Sequence, residues 1–259
     1  MPVSGTREWS RHSVNCYVGC PHNCRYCYAR TMAVRFGRCE ESQWKYPRLR
    51  PEEVAKPRRK LEGSVMFPTT HDITPETLAP CITVLEKLLA AGNDVLLVSK
   101  PHVECIEAIR DVAANFKDRI LFRFTIGAAS DRFLSYWEPG APSFEERLAC
   151  LRYAYEWGFQ TSVSAEPCLD FAHADQLMQS VMPYVTDSIW FGKMNNPWSR
   201  VNPLTEKEKQ AVAWIVQAQS DQVVKGLWER CQDNPMVKWK ESIKKVVGIP
   251  LGDEPGLDI

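Results

Sequence analysis

"NCYVGCPHNCRYCYAR", residues 15–30, concentrates four of the chain's ten cysteines in one short stretch. Cys20, Cys24 and Cys27 have the spacing C-x-x-x-C-x-x-C, and Cys16 precedes them by four positions. In a reducing compartment, cysteines at such close spacing are metal or cluster ligands more often than disulfides. The stretch therefore predicts a metal or iron–sulfur site.

Three kinds of site are compatible with these thiols. A structural zinc site usually has a second close pair of cysteines, but the others stand singly, at Cys39, Cys81, Cys105, Cys150, Cys168 and Cys231. An electron-transfer iron–sulfur cluster takes four cysteines, and Cys16 could be the fourth. Cys16 lies in a predicted strand, however, where its side chain could point away from the other three thiols. The third kind is a [4Fe–4S] cluster on three thiolates, with one iron left open to a ligand.

Composition narrows the class of protein. The 259 residues have zero formal net charge and 44% hydrophobic side chains, as in ordinary globular domains. Zero charge argues against a nucleic-acid partner, although the basic run from Lys45 to Lys60 leaves a nucleic acid or another acidic partner open. Because no run of about 18 apolar residues is present, we expect a cytoplasmic protein without membrane contact.

Short apolar runs rich in Val, Ile and Phe alternate with amphipathic stretches along most of the chain. This alternation predicts strands buried on both faces of a parallel sheet, with helices as crossovers. The six predicted strands are residues 13–18, 64–69, 94–99, 120–126, 161–166 and 188–193. The α/β pattern predicts a partial (β/α)6 TIM-type barrel, whose functional groups lie at the C-terminal ends of the strands.

The C-terminal part of the chain has helical patterns. A capping-box spacing at Thr205 marks the start of one helix. The pattern of residues 234–248 predicts a last helix with Trp239 facing inward. We therefore expect two parts, a barrel over residues 1–200 and a C-terminal helical extension over residues 201–259 that packs on the barrel.

The cysteine motif resembles that of a known family. Cys20-Pro-His-Asn-Cys24-Arg-Tyr-Cys27 is similar to the CxxxCxΦC loop of the radical S-adenosylmethionine enzymes. Over about residues 11–200 the chain resembles the spore photoproduct lyase-like branch, in "FPTTHDITP" (67–75), "VSKP" (98–101), "RFTI" (123–126), "EPGAPSFEERL" (138–148) and "IWFGKMN" (189–195). The lyase itself carries a hydrogen-donating cysteine at the second-strand end, where this chain has none, so the chain looks more like less-defined relatives in the branch.

The resemblance implies two cofactors. A [4Fe–4S] cluster is expected on Cys20, Cys24 and Cys27, with Cys16 not a ligand, and its open iron is expected to chelate S-adenosylmethionine. Further contacts to S-adenosylmethionine are expected mainly at the strand ends, from Tyr26, Thr69, Thr70, Asp72, Ser99, Lys100, Arg123, Thr125, Glu166, Lys193 and Asn195.

The resemblance also implies a reaction. One electron from the reduced cluster would break a carbon–sulfur bond of S-adenosylmethionine, and the 5′-deoxyadenosyl radical would abstract hydrogen from an unidentified substrate. A reductant such as flavodoxin or ferredoxin is then an expected partner. The product radical must regain a hydrogen atom, and Tyr28 and Cys168 are the candidate catalytic donors, because phenols and thiols have weak enough X–H bonds.

A different class of protein stays open beside the enzyme. A non-catalytic iron–sulfur or zinc module could dock an acidic or nucleic-acid partner through the basic run. Such a module would show no spectral change with S-adenosylmethionine and would not cleave it.

Overall fold

A parallel sheet forms the centre of the structure, a computed structural model that describes residues 3–257. The described strands are β1 His12–Ser13, β2 Tyr17–Val18, β3 Arg48–Leu49, β4 Ser64–Phe67, β5 Asp94–Ser99, β6 Ile120–Thr125, β7 Gln160–Ala165, β8 Ile189–Phe191 and β9 Val237–Trp239. Seven of them form one sheet in the order β1-β4-β5-β6-β7-β8-β9, with every neighbouring pair parallel, and β2 pairs with β3 antiparallel. The large sheet has β1 and β9 as its two edges, and the predicted partial TIM-type barrel is confirmed.

Helices lie between the strands and after the last of them. They are α1 Tyr28–Arg35, α2 Pro51–Ala55, α3 Leu78–Ala90, α4 Val103–Ala113, α5 Asp131–Trp137, α6 Phe144–Glu156, α7 Ala174–Val181, α8 Pro197–Val201, α9 Glu206–Ala218, α10 Asp221–Cys231 and α11 Glu241–Val247. The capping box predicted at Thr205 is present, since its hydroxyl accepts the Glu208 amide at 3.2 Å. Between residues 3 and 257, no helix has both the length and the apolar character that crossing a membrane would require.

The central strands agree with the prediction because their residues are buried on both faces. In β5, Val95, Leu96 and Leu97 are all at most 2% exposed, as expected where helices cover a parallel sheet. The predicted strands at 64–69, 94–99, 120–126, 161–166 and 188–193 each match an observed strand to within two residues at either end.

The strand predicted over residues 13–18 is wrong as a single strand. Only His12–Ser13 pairs in the large sheet, and Tyr17–Val18 pairs instead with β3. The chain leaves the sheet at Asn15, whose side chain turns to the segment after β4, where its Oδ1 accepts the amides of Thr69 and Thr70, each at 2.8 Å.

The helix predicted over residues 234–248 is also wrong in its first half. Val237–Trp239 is a seventh sheet strand, paired with β8, and α11 begins only at Glu241. Trp239 is buried as predicted, but from a strand. The C-terminal segment thus contributes to the sheet as well as to helices, while the division of the chain at residue 200 stays a prediction.

The N-terminal segment fills the inside of the curved sheet. Trp9 packs against Met66, Leu96 and Trp190, whose side chains point inward from three strands. The segment also meets the other end of the chain, since the Gly256 amide donates to the Arg7 carbonyl at 2.9 Å.

Candidate active site

A cavity of about 680 Å³ lies at the C-terminal ends of the sheet strands. Its walls include Cys20, Cys24 and Cys27, whose loop follows β2, together with residues that follow β4, β5, β7 and β8. This volume is within the range of sites that bury a cofactor-sized ligand. The three cysteines and the strand ends therefore face one shared space, at the end of the barrel where catalytic groups were expected.

Backbone contacts fix the shape of the cysteine loop. The Cys20 amide donates to the Trp44 carbonyl at 2.9 Å. Gly19 just before it has φ +104°, and a Cβ there would lie 2.7 Å from the same carbonyl, so a larger residue does not fit. At the other end of the loop, Cys27 caps α1, with its sulfur accepting the Arg30 amide at 3.4 Å.

The donor set fits a cluster held by three thiolates. Burial raises the pKa of Cys20, Cys24 and Cys27, so these thiols stay protonated until a positively charged group displaces the protons. Cys16 faces elsewhere, with its sulfur 3.6 Å from that of Cys81. The assignment of the cluster ligands stays a prediction. Among the described residues, the thiols that line the cavity are Cys20, Cys24 and Cys27.

Asp72 is the centre of charge in the cavity. Its Oδ2 lies 2.8 Å from His22 Nδ1 and 3.5 Å from Lys100 Nζ, and its Oδ1 accepts the Lys100 amide at 2.9 Å. Burial opposes ionisation of this carboxyl, but Lys100 and His22 outweigh it and hold its pKa well below the usual range. Burial likewise opposes the charge on Lys100, yet Asp72 and further groups raise its pKa well above the usual range. A fixed carboxylate and a fixed ammonium suit the ammonium and carboxylate groups of a zwitterion such as S-adenosylmethionine.

The turn after β4 brings Thr69 and Thr70 to the cavity wall. Asn15 holds both amides, and its Nδ2 donates to Thr69 Oγ1 at 2.6 Å. The Tyr28 hydroxyl donates to the Thr69 carbonyl, so this phenol also lies at the wall. Asn15 was not predicted as a site residue. Its position after the first sheet strand was the signal, because functional groups are expected at strand ends.

Four more predicted contacts line the cavity. They are Thr125, Glu166, Lys193 and Asn195. The chain's C-terminal part positions three of them, since Glu166 lies 3.6 Å from Lys240, Lys193 lies 3.1 Å from Asp221, and the Asn195 amide donates to Glu241 at 3.2 Å.

Three predicted residues do not line the cavity. Ser99 is buried behind it and donates to Asp72 Oδ1 at 3.3 Å, so it touches the site only through that carboxylate. Arg123 lies deeper in the barrel, over the Trp9 ring and near Asp187. Cys168 is fully buried in the main core, away from the cavity wall.

A buried ion pair behind the cysteine loop was missed. Tyr26 lines the cavity and donates its hydroxyl to Glu138, which lies 2.5 Å from Arg147. Neither charged side chain is exposed. Nearby, a Cβ on Gly140 would lie 2.4 Å from the Pro21 carbonyl in the cysteine loop. Glu138, Gly140 and Arg147 belong to the "EPGAPSFEERL" block (138–148), which is part of the family resemblance. Residue spacing alone does not predict that this block contacts the cysteine loop.

His22 is a second residue that was missed. It lies within the cysteine motif, is 1% exposed, and contacts Asp72 on one side and His102 Nε2 at 2.9 Å on the other. The motif spacing places His22 in the cysteine loop. It does not predict that the His22 side chain turns toward Asp72, which follows β4.

A second cavity of about 750 Å³ adjoins the first. The two share the wall residues Tyr28, Ala29, Trp44 and Thr70. Arg38, Arg48 and Arg50 lie along the second cavity. A substrate-sized space therefore lies next to the predicted cofactor space, on the Tyr28 side.

Comparison with known proteins identifies the family. A sequence model of the "Radical SAM superfamily" matches residues 14–169. "Uncharacterized protein ORF301" of Acidianus two-tailed virus is 28% identical over 167 residues, which cover 60% of this chain and 55% of that protein. The chain thus matches only about half of the viral relative's length. "Uncharacterized protein MJ0683" of Methanocaldococcus jannaschii is 21% identical over 209 residues, 77% of this chain and 76% of that protein.

Solved structures share the fold. A spore photoproduct lyase variant with bound AdoMet and dinucleoside spore photoproduct has a TM-score of 0.58 at 15% identity, covering 92% of this chain and 78% of that one. SuiB of Streptococcus suis bound to S-adenosylmethionine has a TM-score of 0.54 at 8% identity, covering 92% and 52%. Since the family model matches more than half of this chain's residues and the fold agrees, the chain belongs to the radical SAM superfamily.

Proposed function

We propose that this enzyme cleaves S-adenosylmethionine reductively at a [4Fe–4S] cluster on Cys20, Cys24 and Cys27, and abstracts hydrogen from a substrate. The observation that carries the proposal is the convergence of those thiols with the paired Asp72 and Lys100 on one cavity. Bound there, the cluster would supply one electron to the sulfonium and so release a 5′-deoxyadenosyl radical. A one-electron reductant such as flavodoxin or ferredoxin is its expected partner.

The side chains of the cavity would bind and orient the cofactor. Asp72, held ionised by its cationic neighbours, would accept the cofactor's ammonium group, and Lys100 would bind its carboxylate. Thr125 and Glu166 lie further along the strand ends, where ribose hydroxyls would find partners. The remaining walls would exclude water from the reactive carbon.

We place the substrate in the adjoining second cavity, because it shares the Tyr28 wall with the first. Tyr28 is then the candidate to return hydrogen to the product radical. Cys168, the other candidate, is buried in the core and lines neither cavity. Within the described residues, neither cavity offers a thiol outside the three predicted cluster ligands, which favours a phenol as donor.

Electron paramagnetic resonance of the reduced protein tests the proposal against a non-catalytic module. The chain is reconstituted anaerobically with iron and sulfide and reduced with dithionite, and spectra are recorded with and without S-adenosylmethionine. We expect a [4Fe–4S]⁺ signal that shifts when S-adenosylmethionine is added. A signal unaffected by S-adenosylmethionine would support the non-catalytic module instead.

A further inference from the structure

A second group of metal-ligating side chains lies beneath the cysteine loop. The Cys16 sulfur is 3.6 Å from the Cys81 sulfur and 3.9 Å from His71 Nε2, and the three ligand atoms all lie within 4.8 Å of one another. All three residues are at most 5% exposed. None of them has a part in the proposed reaction.

The separation of the two sulfurs suits a tetrahedral zinc ion. Two thiolates bound to one zinc at about 2.3 Å lie roughly 3.8 Å apart, close to the observed 3.6 Å. Two thiolates and Zn²⁺ also sum to zero charge, which removes most of the cost of placing an ion in an apolar core. Cys81 and Cys16 belong to that core.

Hydrogen bonds fix His71 in the tautomer that a metal ligand needs. Its Nδ1 lies 3.0 Å from the Asp72 carbonyl, which can only accept, so Nδ1 carries the proton. Its Nε2 accepts the Cys16 amide at 3.2 Å and is therefore unprotonated. An imidazole whose other nitrogen donates to a carbonyl is the usual arrangement of a zinc-bound histidine, and the zinc bond would replace the weak contact to the amide.

We propose that Cys16, His71 and Cys81 form a second metal site, which binds Zn²⁺ separately from the cluster. The ion would link three segments: the base of the cysteine loop, the turn after β4, and helix α3. His71 also lines the cofactor cavity, which gives an ion a path to the site.

Metal analysis of the reconstituted holoenzyme tests this site. The protein is incubated with one equivalent of Zn²⁺, washed with a weak chelator, and analysed for zinc and iron by mass spectrometry. We expect about one zinc per chain in the wild type, near none in Cys81→Ser, and unchanged iron in both. Cys150→Ser is the matched control, since Cys150 is a fully buried helix cysteine outside this group, and it should keep its zinc.

A second measurement needs no variant. Anomalous diffraction at the zinc edge from crystals of the wild-type holoenzyme should place the ion between Cys16, His71 and Cys81. Absence of zinc from the washed wild type, zinc located on Cys20, Cys24 or Cys27 instead, or equal zinc in Cys81→Ser and wild type would each overturn the proposal.

Discussion

Asp72 shows how a single residue organises the candidate site. Its carboxylate contacts the cysteine loop through His22 and the third sheet strand through Lys100. Predicting Asp72 and Lys100 from sequence was feasible because Lys100 directly follows the apolar strand β5 and Asp72 lies shortly after β4. His22 was not predictable in this role, because its orientation depends on packing between segments that lie 50 residues apart.

Replacing Asp72 by Asn should weaken S-adenosylmethionine binding by at least about tenfold. Removing one member of a buried charge pair costs about 2–5 kcal/mol, much of it from the charge left unpaired, here the ammonium group of the bound cofactor. Equilibrium dialysis of the reconstituted protein measures the change. Asp175→Asn, which removes a half-exposed surface carboxylate beside Arg230, is the control. Equal affinity in Asp72→Asn and wild type would remove Asp72 from the cofactor site.

Tyr28 should pass an exchangeable hydrogen atom to the 5′-deoxyadenosyl radical when no substrate is present. In D₂O the phenol carries deuterium, so the 5′-deoxyadenosine formed should gain one mass unit in the wild type. Tyr28→Phe should form unlabelled 5′-deoxyadenosine, while Cys168→Ala should behave like the wild type because Cys168 is buried away from the cavity. Equal labelling in Tyr28→Phe and wild type would exclude Tyr28 as the donor.

At the scale of elements, the five central strands were predictable and the first and last ones were not. The central strands are buried on both faces and most of their residues are apolar, although β6 contains Arg123 and β7 contains Ser162 and Ser164. The first strand is interrupted at Asn15, whose side chain replaces backbone pairing. The last strand, Val237–Trp239, has only three residues, and sheet pairing with β8 determines it more than its own sequence does.

The segment after α5 supports the cysteine loop, and Gly140 allows their close approach. Its amide donates to the His22 carbonyl at 3.1 Å, and an added Cβ would lie 2.4 Å from the Pro21 carbonyl. Gly140→Ala should therefore displace the loop and lower the bound iron severalfold, while the far-UV circular dichroism stays unchanged.

Gly226→Ala is the matched control for that variant. Gly226 lies inside α10, where the nearest atom to an added Cβ is the Arg230 side chain at 3.5 Å. Alanine there should keep all the iron and stabilise the helix by about 1 kcal/mol. Full iron content in Gly140→Ala would contradict the proposed support of the loop.

In the whole molecule, a buried contact between Lys240 and Glu8 connects the two ends of the chain. Lys240 Nζ lies 2.8 Å from Glu8 Oε1 and donates to the Gly5 carbonyl at 2.7 Å. Burial, and after it the carboxyl of Glu241, raise the pKa of Glu8 to about 8. Because the folded chain holds this proton more tightly than the unfolded chain does, the stabilisation is complete below the unfolded pKa of 4.5 and is lost as the pH rises through about 8.

Glu8→Gln should remove this dependence on pH. The amide cannot ionise, so the variant should unfold at nearly the same urea concentration as the wild type at pH 4 and at a higher one than the wild type at pH 9. Urea titrations followed by tryptophan fluorescence give both midpoints. A wild type that gains stability over the variant between pH 4 and 9 would show that Glu8 is ionised in the folded state.

The central claim is reductive cleavage of S-adenosylmethionine at three thiolates, and the yield of 5′-deoxyadenosine tests it most directly. The wild type and the single alanine variants of Cys16, Cys20, Cys24 and Cys27 are reconstituted anaerobically, reduced with dithionite and analysed by chromatography. We predict 5′-deoxyadenosine from the wild type and from Cys16→Ala, and none from the other three variants. Its absence from the wild type, or its formation by Cys20→Ala, Cys24→Ala or Cys27→Ala, would contradict the claim.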